Sequence, residues 1–146
     1  MKVLKWLAIS LAGLIVAICG VGFLLPDTAH VERSIVINAK PATVFTVLNG
    51  FALFNKWSPW ANIDPAATNT VSGPRSGVGA MQAWAGNADV GTGSQEIIES
   101  TPYTTIKIKL VFGDFTSENT ATYTLTPEGE GTQLTWAYDT ISGGNL

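Results

Sequence analysis

The sequence predicts an α+β domain: a curved antiparallel sheet of six or seven strands, two short helices after its first strand, and one transmembrane helix ahead of it. Three observations carry that expectation. Residues 104–112 alternate Ile106, Ile108, Leu110 and Phe112 with Thr105, Lys107 and Lys109. A period of two marks a strand with one buried and one wet face. The pattern recurs over 116–126 (Ala121, Tyr123, Leu125) and over 132–139 (Leu134, Trp136, Tyr138), with turn residues at 113–114 and 127–131. Together the three runs read as a meander with one broad, aromatic-rich face. Finally, residues 6–25 contain no charge. Twenty apolar residues in a helix span about 30 Å, enough to cross a bilayer core.

That apolar run is expected to be an uncleaved single-pass anchor occupying residues 1–28 with its flanks. A cleaved signal would need a shorter apolar core and a small-x-small exit, where Leu24-Leu25-Pro26-Asp27 stands instead. A lipoprotein signal would need a small residue before the cysteine, and Cys19 follows Ile18. Lys2, Lys5 and the terminal amine favour a cytoplasmic N-terminus, and Arg33 and Lys40 on the far side weaken the bias. The domain, residues 29–146, is therefore expected on the outer (periplasmic or extracellular) side of the membrane.

Residues 29–37 form the first strand. Pro41 opens a helix over Pro41–Leu48 with Val44, Phe45 and Leu48 on one face, stopping near Asn49-Gly50. Residues 51–57 form the second helix, which Pro59 ends. Residues 61–79, rich in Pro, Gly, Asn, Ser and Thr, read as a long loop with one short strand at 70–72. Strands follow at 80–85 and 93–100, and the glycines read as turn residues.

Composition excludes several functions. From residue 29 onward there are six Lys/Arg against ten Asp/Glu. An acidic domain without a basic stripe does not bind nucleic acid or dock tightly on anionic lipid. The single cysteine lies in the apolar run, so neither a disulfide within the chain nor a cysteine metal site is expected. No phosphate-cradling glycine pattern precedes a helix, and no cofactor is expected. The sole histidine, His30, is far in sequence from any base partner and reads as exposed, so nucleophilic catalysis of the Ser-His type is not expected. Glu96 and Glu99 have opposite strand parity, Glu128 and Glu130 fall in a turn, and Asp89 and Asp114 are turn aspartates, so no acid pair forms.

The aromatic residues remain. Trp57, Trp60, Trp84, Tyr123 and Trp136, with Ile108 among them, are the candidate ligand-binding residues. They would form a pocket for a flat or greasy ligand, with indole N–H and phenol O–H as its polar groups. Trp57-Ser58-Pro59-Trp60, at a helix end beside the long loop, would frame its mouth. Arg75 in that loop is either a carboxylate anchor or a solvated side chain.

The order strand, two helices, strand run resembles the START-like helix-grip superfamily, in its polyketide cyclase/dehydrase-type (SRPBCC) branch. The resemblance rests on Lys56-Trp57-Ser58-Pro59-Trp60, Gly73-Pro74, Gly77-Val78-Gly79-Ala80, Trp84-Ala85-Gly86-Asn87 and Gly91-Thr92-Gly93-Ser94, then on Glu99-Ser100-Thr101-Pro102, Glu130-Gly131-Thr132 and Thr135-Trp136. It spans about residues 31–140 and implies a curved sheet gripping a long C-terminal helix around a cavity. It implies no shared catalytic motif. Here the chain stops at Leu146, so the resemblance implies a fragment cut where that helix would begin. Two short helices are not expected to cover the apolar face in its place. The function expected is a membrane-tethered module holding a hydrophobic small molecule (lipid, isoprenoid or polyketide-like). A cyclase/dehydrase-type enzyme and an envelope protein-interaction module are the alternatives, and the oligomeric state is left open.

Overall fold

The computed structural model describes residues 28–113 and 117–141. The apolar run and residues 142–146 lie outside the described residues, as does Asp114. No helix among the described residues is long and apolar enough to cross a membrane.

The chain runs β1 (Thr28–Ile37), α1 (Pro41–Leu48), α2 (Phe54–Trp57), α3 (Trp60–Ile63), β2 (Thr68–Ser72), β3 (Met81–Ala85), β4 (Thr92–Thr101), β5 (Thr105–Phe112), β6 (Glu118–Glu128) and β7 (Gly131–Ile141). Its seven strands form one sheet in the order β1-β7-β6-β5-β4-β3-β2, antiparallel throughout. β1 and β2 are the two edges. The three helices therefore carry the chain from one edge to the other, and β2 to β7 meanders back.

The helices form where the sequence gives local reasons. Pro41 sits in the first turn of α1, where its missing N–H costs nothing, and Asn49 closes the helix by donating to the Phe45 carbonyl. Pro59 acts twice. It holds Ser58 extended (φ −70°, ψ 131°), which ends α2, and its own φ of −63° starts α3. Only the first action is legible in the sequence, and residues 61–63, expected as loop, belong to α3. α2 also begins later than expected, at Phe54, because Phe51 turns into the core, 3% exposed.

Two strand details depart from the expected pattern. β6 continues through Pro127 to Glu128, and only Gly129 and Glu130 make the turn, with Gly129 at φ 55°. In β4 the register shifts between Ile97 and Glu99. This bulge leaves Ile98 extra, so Glu96 pairs with Lys109 and Glu99 with Lys107. Both glutamates thus lie on the lysine-bearing face, and the opposite parity expected of them is wrong.

The core is on the other face. Val44, Phe45, Leu48 and Phe51 pack on Ile97, Ile106, Ile108 and Leu125, each of these four strand residues at most 3% exposed. α1 packs on β6 and β7, and Phe51 and Phe54 join the same cluster. Cover stops toward β1. Val31 and Ile35, in register with Tyr138 and Leu134, are 43% and 62% exposed.

The 73–80 segment is pinned rather than loose. Gly77 N–H donates to Asn49 O, Gly79 N–H to Ile97 O, and Ile97 N–H to Ala80 O. Gly73 is at φ 74°, and a Cβ there would collide with the Gly79 carbonyl.

Candidate functional site

Beside the core, between the sheet and α2–α3, lies a cavity of about 480 Å³. β3, β4, β5, β6 and β7 all contribute to it. Five consecutive strands can surround one space only if the sheet is concave there. Strand alternation places the lining: Gln82 and Trp84 on β3, Gln95 on β4, then Ile108, Leu110 and Phe112 on β5. Ala121 and Tyr123 follow on β6, and Trp136 and Tyr138 on β7.

Five of the six candidate residues lie on this cavity: Trp60, Trp84, Ile108, Tyr123 and Trp136. Trp57 does not. It stands behind the wall, with its ring edge-on to Phe54 (centroids 4.9 Å apart) and to Tyr123 (6.5 Å). Trp60, 57% exposed, marks the mouth together with Asp64 and Asp89. Asp64 joins two loops there, its carboxylate accepting from Ala66 N–H (3.1 Å) and Asn87 N–H (2.8 Å). Arg75 is not in the lining; its carbonyl packs against Gly50.

The polar part of the wall was missed from sequence. Gln95 Nε2 donates to Gln82 Oε1 at 2.6 Å, Gln82 Nε2 to Asn69 Oδ1 at 2.9 Å, and Asn69 Nδ2 to Ala67 O at 3.1 Å. Gln82 and Gln95 are 2% and 6% exposed. Across the cavity, Tyr138 O–H donates to Asn119 Oδ1 at 2.9 Å. Buried amides must find partners, and here they find one another. The parity of Gln82-x-Trp84 and Gln95-x-Ile97 was the signal available in the sequence.

Tyr123 differs. Its hydroxyl has no hydrogen-bond partner among the described residues, and burial pushes the phenol up to about 12. It remains a protonated donor beside apolar side chains.

His30 has a base after all. β1 pairs with β7, which sets Asp139 opposite it, and Nδ1 lies 2.6 Å from Asp139 Oδ1. The hydrogen bond to Asp139 and its charge raise the imidazole above its usual value, and the charge of Glu32 adds to this. The pair is exposed, on the face away from the cavity, so it offers the cavity no acid or base. Among the described residues no cluster of His, Cys, Asp or Glu could hold a metal.

A concave antiparallel sheet closed by short helices over an aromatic cavity defines an α+β helix-grip-like protein. The chain belongs to the family described as polyketide cyclase / dehydrase and lipid transport, which matches residues 28–144. Solved structures share the fold. Protein CV1439 from Chromobacterium violaceum is 20% identical, covers 84% of this chain and 85% of its own, and has a TM-score of 0.58. Ginseng major latex-like protein 151 from Panax ginseng is 17% identical over 80% of this chain and 81% of its own, at 0.58. Norcoclaurine synthase from Thalictrum flavum is 14% identical over 80% and 71%, at 0.63. Among curated proteins, none matches the chain in sequence.

Proposed function

We propose that the protein is a membrane-tethered module that holds a hydrophobic small molecule, of lipid, isoprenoid or polyketide-like class, in this cavity. The observation that carries the reading is a space of about 480 Å³ with seven aromatic side chains in its lining. Such a space is the size of a small-molecule site, and desolvation with shape supplies the affinity. The uncharged run at residues 6–25 supports tethering, with the domain on the outer side of the membrane.

A second reading is a cyclase/dehydrase-type enzyme, favoured by the family description. It would rest on Tyr123 as the proton-bearing group in the cavity, since His30–Asp139 lies on the other face.

Extraction of the full-length protein from membranes, followed by mass spectrometry of co-purifying small molecules, tests both. A reproducible hydrophobic compound that survives incubation unchanged supports the binding module. Its conversion supports the enzyme. A protein that carries nothing and binds no hydrophobic probe refutes both readings.

A further inference from the structure

Given the reading above, on which this rests, the cavity's chemistry narrows its ligand. We infer that the site takes an uncharged, ring-bearing molecule whose hydroxyl or carbonyl oxygen accepts from Tyr123, and that it rejects carboxylates.

Charge makes the first half of the case. Among the described residues the only carboxylates in the lining are Asp64 and Asp89, and no Lys, Arg or His lines it. Arg33 comes nearest in register, opposite Trp136. Its guanidinium donates to the Glu32 carbonyl at 2.7 Å, and no described residue of β1 is part of the cavity lining. An anion entering here would lose its water, find no cation, and pass two carboxylates at the mouth. A hydrophobic ligand with a free carboxylate is therefore the wrong chemistry, although its tail would suit the walls.

Hydrogen bonding makes the second half. The amide row of Gln95, Gln82 and Asn69 is internally paired, and Tyr138 is committed to Asn119. Tyr123 is left with an unmatched hydroxyl, next to Ile108 and Ala121 on the cavity floor. This half-buried hydroxyl faces the cavity, where a ligand oxygen can accept from it in place of water. Rings suit the remaining surface, because Trp84, Phe112 and Trp136 offer faces and edges for stacking.

The test uses the full chain in micelles and isothermal titration calorimetry, with the heat of partition into empty micelles subtracted. The probes are naphthalene, 1-naphthalenemethanol, 1-naphthylmethylammonium and 1-naphthoate. The alcohol should bind tightest, and the carboxylate at least about tenfold more weakly than the alcohol. Tyr123→Phe should weaken the alcohol about three- to tenfold and leave naphthalene unchanged. Equal affinity for all four probes, or tighter binding of either charged probe, overturns the inference while leaving the hydrophobic site intact. The same holds if Tyr123→Phe does not affect the alcohol. Failure of naphthalene itself to bind overturns both the inference and the reading beneath it.

Discussion

Trp84 and Gly93 face one another across β3 and β4, and the indole occupies the space a side chain at position 93 would fill. A Cβ on Gly93 would collide with the Trp84 ring on one side and the Val111 carbonyl on the other. This glycine serves no turn. It lets a tryptophan lie against the backbone, with its edge toward Phe112 at 5.8 Å, and so form one wall of the cavity. Gly93→Ala is expected to destabilise the protein by about 1–3 kcal/mol, the usual cost of overpacking. Denaturant titration reads that loss. Naphthalene affinity should fall as well, because Trp84 must swing into the cavity. An unchanged affinity would mean that Trp84 does not shape the site.

His30 is the only histidine, which makes its titration simple to follow by NMR. Asp139 holds it above the usual 6.5, first through their hydrogen bond. Because the folded value is raised, the pair's contribution to stability is fully present below the unfolded value and fades as pH rises through the folded one. Asp139→Asn should bring the imidazole back down toward 6.5. An unmoved titration in that variant would show that the β1–β7 pairing does not set this contact.

Sequence carried most of this architecture, because a period of two on three strands and a proline-started helix are local signals. Ile106, Ile108, Leu110, Tyr123, Leu125 and Trp136 all face the side their parity predicts. What escaped depends on pairing between distant residues. His30 meets Asp139 only because β7 returns to β1, a separation of 109 residues. The Glu96–Glu99 parity failed at a bulge, which an alternating pattern cannot reveal. Gln82 and Gln95 were overlooked because a glutamine on an inward position is costly alone and acceptable as a pair, and the pair exists only in the sheet. The expectation for the anchor falls on residues outside those described.

Two isoleucines on the same face of the sheet give contrasting expectations. Ile106 is 0% exposed, packed beneath α1 and the residues that follow it. Ile35, at the β1 edge, is 62% exposed. Ile106→Ala should cost about 2–5 kcal/mol through lost burial and the space left behind. Ile35→Ala should stay within about 0.5 kcal/mol. Equal losses in denaturant titration would mean that the β1 edge is covered in solution by something packed as firmly as α1.

Tyr123 gives a pH signature of the cavity itself. Burial raises its phenol to about 12, against 10 for an exposed or unfolded tyrosine. As pH rises past 10 the unfolded chain releases this proton while the folded chain keeps it. Unfolding is thereby favoured, and stability contributed by the neutral phenol is lost progressively up to the folded value of about 12. The loss is on the order of 2–3 kcal/mol for a shift of this size. Tyr123→Phe has no phenol to ionise, so its stability should fall less over the same range. Denaturant titrations of the two proteins, paired with phenolate absorbance, measure the difference. Parallel curves would place the Tyr123 hydroxyl in water and remove the unpaired donor from the cavity. A bound neutral ligand that accepts from the phenol should push the ionisation higher still, because only the protonated form can donate.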